Sequence, residues 1–187
     1  IDGIVYDLYL KVESSIMKPA KDIGITVDDI GFYMEMKRIT TERSEIANPR
    51  GMTPKTAADQ LDFMKARLGE ERYAKLEEFD QAYRELRREG VFPYAEASEM
   101  YDDFLTKYIK DNDNYAPFKV LSYLEGKYGK GITAHIFKQI GTLNEIDNPF
   151  IQLQLVDAAI IRASQVTMAK RAMERFLRED FPDSIQD

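Results

Sequence analysis

The chain alternates amphipathic stretches at helical spacing with short polar breaks. Ile4, Val5, Leu8, Val12 and Ile16 recur every three to four residues, which marks one apolar helix face. Lys18-Pro19 is expected to end that helix, because the residue before a proline avoids the helical region. Gly24 lies in the link that follows. Thr26 opens the next helix, with Asp29 three residues on as an acidic form of the capping box. Its pattern runs through Ile30, Tyr33, Met34, Met36, Lys37 and Ile39 towards Ala47, where Asn48-Pro49-Arg50-Gly51 breaks it. Thr53 as cap and Pro54 at the first helical position begin a third helix, with Ala57, Ala58, Leu61, Met64 and Leu68 as its inner stripe and Gly69 as its stop. A fourth runs from Glu70 to Glu89, with Tyr73, Leu76, Phe79, Tyr83 and Leu86 on one face, and Gly90 ends it.

Pro93 starts a fifth helix with a stripe of Ala97, Met100, Tyr101, Phe104, Leu105 and Tyr108. The run from Asp111 to Phe118 reads as a loop, yet Tyr115, Pro117 and Phe118 are expected to pack it back onto the body. Residues 119–131 fit a short helix or a strand followed by turns. Thr133–Ile140 is a short helical piece and Gly141–Asn148 a loop. Asn148 then caps a last helix with Pro149 at its first position, reaching to Glu179, about 45 Å of helix at about 1.5 Å per residue. Leu153, Val156, Ala159, Ile160, Ala163, Val166, Met173, Phe176 and Leu177 share a stripe along it. No Asn-Gly or Asp-Gly hairpin and no sustained alternation appears. The expected fold is all-α: an irregular bundle of about seven helices with a long C-terminal helix, forming a single domain over residues 1–187.

Glu45–Pro49 and Glu145–Pro149 nearly repeat each other, but one ends a helix and the other begins one, so both read as punctuation. The first residue is Ile rather than Met, and the chain is expected to be one domain of a larger multidomain protein. There is no run of about 18 apolar residues for a membrane span. The absence of Cys excludes disulfides and cysteine zinc sites. A net charge of −7 speaks against general nucleic-acid binding, which needs clustered cations. Residues 119–178 nevertheless hold nine basic against five acidic residues. Lys170, Arg171, Arg175 and Arg178 are therefore a candidate basic face for nucleic acid. The plainer reading is a solvated helix face.

Catalytic motifs are scarce. Gly126–Thr133, GKYGKGIT, has Ile132 where a phosphate loop needs its lysine, so it reads as a turn. His135 is the only histidine, with neither a metal-site partner at helical spacing nor a nucleophile elbow. Asp28-Asp29, Glu70-Glu71, Glu77-Glu78 and Asp102-Asp103 are neighbours on helices, about 100° apart, and do not face one substrate. Acids from separate helices could still converge into a site, which the sequence alone does not reveal. Arg43 stands between Glu42 and Glu45; it either pairs within its helix or ties the Asn48-Pro49 loop to the body. No cofactor or metal is called for.

Three places resemble a helical domain of the large polyvalent proteins of bacteriophages and related mobile elements. A helix with Tyr33, Lys37, Arg38 and Arg43 runs into Asn48-Pro49. Gly90-Val91-Phe92 precedes a helix leading to Asn114-Tyr115-Ala116-Pro117-Phe118, with Ala116 where that family tends to have Val. Gly141-Thr142 comes before Ile146-Asp147-Asn148-Pro149 and the long helix. The resemblance spans residues 27–178. It implies a non-enzymatic scaffold or interaction domain, with a protein partner or neighbouring domains of the same chain as its contacts. It also implies delivery with the element's DNA, so that the protein would be found in the virion or the host cytoplasm.

Overall fold

The computed structural model describes residues 2–41, 51–99 and 148–180. No strand occurs among them. The helices are α1 (Asp2–Val12), α2 (Lys18–Asp22), α3 (Val27–Thr41), α4 (Pro54–Leu68), α5 (Glu70–Gly90), α6 (Phe92–Ala97) and α7 (Pro149–Asp180), with a π-helical turn, Glu13–Met17, between α1 and α2. The all-helical expectation therefore holds for the described residues, whereas the count of seven does not map helix for helix. Arg43, Asn48, Pro49, Tyr115, Pro117 and Phe118 lie outside the described residues, as do His135, Gly126–Thr133 and the expected helix at Thr133–Ile140.

Two boundaries differ from expectation. Lys18-Pro19 does not stop the first helix. The Lys18 N–H bonds to the Glu13 carbonyl, one residue further back than in an α-helix. That wider turn makes room for the Pro19 ring and absorbs its missing N–H, so the chain stays helical to Asp22. The fifth helix, expected through Tyr108, breaks at Ala97. Glu99 takes φ 47°, a left-handed conformation that ends α6.

The caps at Thr26, Thr53 and Gly69 are those the sequence predicts, whereas Gly24, expected only in a link, ends a helix. Gly24, at φ 74°, closes α2: its N–H reaches the Lys21 carbonyl and the Ile25 N–H reaches the Ala20 carbonyl, a Schellman ending. The Thr26 N–H donates to Asp29 Oδ2 at 2.9 Å, and the Asp29 N–H donates to Thr26 Oγ1 at 3.1 Å. Thr53 and Thr56 form the same reciprocal box at the start of α4. Gly69 joins α4 to α5 at φ 84°, ψ 158°, a region open almost only to glycine.

Two apolar clusters meet along α5. One gathers Val12, Ile16, Ala20, Ile25, Ile30, Tyr33, Met34, Met64, Leu68, Leu76, Phe79, Tyr83, Phe150 and Leu153 from six helices, the π turn and the link before α3. The other sets Leu8 of α1 and Val91, Phe92 and Ala95 at α6 against Val156, Ala159, Ile160, Ile161 and Ala163 of α7. Leu86 touches both. Each large side chain buried this way contributes roughly 1.5–3 kcal/mol. The α4 stripe is corrected at one place: Ala58 is exposed, while Ala57, Met64 and Leu68 are buried.

Helix α7 is fixed to α3 at its first turn. Asn148 Oδ1 accepts from the Phe150 N–H at 2.9 Å and the Ile151 N–H at 3.3 Å, so it is the cap the sequence predicts, with Pro149 at the first helical position. Its Nδ2 donates to the Val27 carbonyl at 2.9 Å and to Asp28 Oδ1 at 3.1 Å. Gly31 makes this approach possible: a Cβ there would overlap the Asn148 carboxamide, lying 2.7 Å from Cγ and 2.8 Å from Nδ2. Asp29, in the same turn, also pairs with Arg67 of α4. Burial opposes its ionisation, but the Thr26 N–H, Arg67 and the Thr26 hydroxyl outweigh that and hold its carboxyl below the ordinary 3.8.

Two outcomes are expected. Gly31→Ala destabilises by about 1–3 kcal/mol through overpacking, Asn148→Ala by about 0.5–2 kcal/mol, and the double variant by clearly less than the sum, because the clash needs the carboxamide. Urea unfolding of the four proteins measures this; strict additivity would refute the contact. The second concerns acid. A folded pKa below the unfolded one gives stability that is present above 3.8 and lost as pH falls through the lower folded value. Asn at position 29 should remove that part of the acid limb, read from urea unfolding midpoints at descending pH.

Candidate functional site

The most enclosed polar group of the described residues is a cluster between α5 and α7. Tyr83 and Arg87 sit one turn apart on α5, on the face that carries Leu76 and Phe79 inward. Asp157 lies on the apolar side of α7 beside Val156, Ile160 and Ile161. The Tyr83 hydroxyl donates to Asp157 Oδ2 at 2.7 Å. Arg87 Nε donates to Oδ1 at 3.0 Å and to Oδ2 at 2.9 Å. The Arg87 guanidinium also lies 5.2 Å from the centre of the Phe92 ring, and the Tyr83 and Phe150 rings meet edge to face at 5.1 Å.

Asp157 is wholly buried. Burial pushes its carboxyl up, and Arg87 and the Tyr83 hydroxyl pull against that. Tyr83 is raised well above 10.0 by burial and by the Asp157 carboxylate, so it stays protonated and keeps donating. This arrangement holds charge in a dry interior by pairing it and does not present it to solvent.

A second polar group lies on α5 and reaches to α3. Arg84 reaches back one turn to Asp80 Oδ2 with Nε at 3.0 Å and Nη2 at 2.6 Å. Burial raises the Asp80 carboxyl, with Arg84 opposing. Lys37 of α3 donates to Glu77 at 3.2 Å and to the Tyr33 hydroxyl at 3.4 Å. Tyr33 packs edge to face on Tyr73 at 5.7 Å, and burial pushes its hydroxyl upward. Among the described residues no group of three or more His, Cys, Asp or Glu could hold a metal ion.

The four cations singled out on the last helix fare differently. Arg171 is a structural clamp: Nη1 donates to the Ser98 carbonyl at 2.6 Å and to Glu99 Oε2 at 3.0 Å, and Nη2 to the Glu99 carbonyl at 3.4 Å. It thus satisfies carbonyls left over at the C-terminal end of α6, where a cation also suits the helix dipole. Lys170, Arg175 and Arg178 are exposed, with Glu174 set among them. Arg171, Arg175 and Arg178 share a face, at four and then three residues' spacing; Lys170 points off it. The acidic neighbours expected to lie on solvated faces divide as well: Asp29 is buried, whereas Glu70 and Glu71 are exposed.

Sequence reading passed over Arg87 and Asp157. A signal existed for each: Asp157 interrupts the apolar run LVDAAII, and Arg87 falls on the Tyr83 face of α5. Neither signal names its partner, which lies 70 residues away. Comparison of the chain with protein-family models, curated proteins and solved structures finds no match.

Removing one member of the buried pair should be far worse than removing both. Asp157→Leu leaves Arg87 charged and unpaired in the interior and is expected to cost about 3–5 kcal/mol, while Asp157→Leu with Arg87→Met recovers most of that loss. Chemical unfolding of the two variants decides it. Equal stabilities would mean that the pair is not coupled.

Proposed function

We propose that the chain is a non-enzymatic scaffold or interaction domain of a phage-type polyvalent protein, carried with the element's DNA and working in the virion or the host cytoplasm. The observation that carries this reading is the outer half of α7. Its buried stretch ends at Ser164, and beyond it Val166 and Met173 are 37% and 59% exposed, seven residues apart. Exposed apolar side chains that recur at helical spacing beyond a buried stretch are suited to pack on another surface. The resemblance to polyvalent-protein helical domains supplies the occupant: neighbouring domains of the same protein. The interior polar groups support a non-catalytic reading, since Asp157, Arg87 and Tyr83 are spent on one another. Among the described residues no helix is long and apolar enough to cross a membrane.

A second reading is nucleic-acid contact through Lys170, Arg175 and Arg178, which are exposed. Glu174 among them and the use of Arg171 inside the fold weaken it.

The test supplies flanking segments of the longer gene product in trans and measures binding calorimetrically. Met173→Asp, at an exposed position, should weaken binding roughly tenfold or more without lowering the unfolding midpoint. Absence of binding to any flanking segment would overturn the proposal. Retardation of DNA at low salt, lost in Arg175→Glu with Arg178→Glu, would replace it with the second reading.

A further inference from the structure

Helix α1 shows a second outward apolar ridge, distinct from that of α7. Its inner side carries Leu8 and Val12, which are 9% and 1% exposed. Its outer side carries Tyr6, Tyr9 and Leu10, at 60%, 54% and 44% exposure. Tyr6 lies one turn before the adjacent Tyr9 and Leu10 on the same side, and Gly3 extends the ridge by a further turn with open space where a Cβ would stand. A tyrosine pair and a leucine left in water on one helix are a poor solution for an isolated chain and a good core for a small interface.

Charge selects the occupant. Asp7 and Lys11 are exposed and four residues apart, so they line the same flank of the ridge. Neither side chain makes an ion pair among the described residues. When two identical helices pack antiparallel about a two-fold axis, each flank meets its own copy in reverse. With the axis near Tyr9, Asp7 comes level with Lys11 of the other copy, and Lys11 with its Asp7. Tyr9 then faces its counterpart, and Tyr6 meets the Leu10 region. In a parallel two-fold pairing this flank would lie against the opposite flank of the other helix, and Asp7 and Lys11 would not meet each other across the contact. The flank is therefore self-complementary in one orientation only.

We propose that α1 is a homodimerisation helix, occupied by α1 of a second copy in an antiparallel, isologous contact. The inference rests on reading the chain as an interaction domain and names one of its partners. Eleven residues of helix make about 16 Å of contact, well short of a standard interface of about 800 Å² per partner, so association is weak and depends on concentration.

Sedimentation velocity of the full chain from micromolar to millimolar concentration is expected to show a monomer–dimer equilibrium. Leu10→Glu should raise its dissociation constant roughly tenfold or more. Asp7→Lys and Lys11→Asp should each weaken the dimer, and the double swap should restore it. Thermal unfolding of each variant checks that the fold survives, which the exposure of these positions favours. A chain that stays monomeric throughout, a dimer indifferent to Leu10→Glu, or a double swap no better than the singles would each overturn the proposal. Binding of flanking segments through Met173 is read separately, so loss of dimerisation and loss of the broader interaction reading are distinguishable.

Discussion

The carboxylate of Asp157 is the constraint on which the described architecture depends. It sits on α7 with no exposed surface, and its oxygens are taken by Arg87 and Tyr83 of α5. A buried charge tolerates no slippage. A shift of α7 by one turn, about 5.4 Å, would leave both the carboxylate and the guanidinium dry and unpaired. Apolar side chains such as Val156 and Ile160 set no such condition, because another aliphatic neighbour would serve nearly as well. The pair therefore defines register, while the surrounding apolar clusters supply most of the favourable free energy.

Two further polar contacts fix the same helix. Asn148 caps α7 and holds the Val27 carbonyl of α3. Arg171 grips the Ser98 and Glu99 carbonyls beyond α6. Along α7 these contacts stand about 13 Å and about 21 Å from Asp157 at the usual rise per residue. The long helix is thus a strap fastened in turn to α3, α5 and the end of α6. Gly31 and the left-handed Glu99 belong to this scheme, one giving the Asn148 side chain room and the other turning the chain where Arg171 can hold it.

What could be read from the sequence divides by range. The Thr26–Asp29 box, the Thr53 cap, the Gly69 closure and the Asn148-Pro149 start are made by residues a few positions apart, so the chain states them directly. The π turn before Pro19 was not legible, because proline excludes an ordinary α-turn without saying which irregular turn replaces it. The end of α6 was misplaced because the apolar spacing of Met100, Tyr101 and Phe104 continues past Ala97, whereas Glu99 is held by an arginine 72 residues away. The Arg87–Asp157 pair was missed for the same reason of distance. Each residue alone reads as a charge to be placed in solvent.

This division also changes how the cations of α7 are weighed. Counting Lys170, Arg171, Arg175 and Arg178 as one basic face treats the helix as uniformly exposed. The fold sorts them instead by their place relative to the last fastening. Arg171 lies at it and its charge is spent on Glu99 and two carbonyls. Arg175 and Arg178 lie beyond it, on a segment where Met173 and Phe176 are both about half exposed. A phosphate backbone rewards clustered cations and gains little from a thioether and a phenyl ring nearby, whereas a protein surface can use both, apolar contact at the centre and arginine at the rim. The mixture on the outer half of α7 therefore favours a protein partner over a nucleic acid, and it does so through the apolar residues, since the charge count alone fits either.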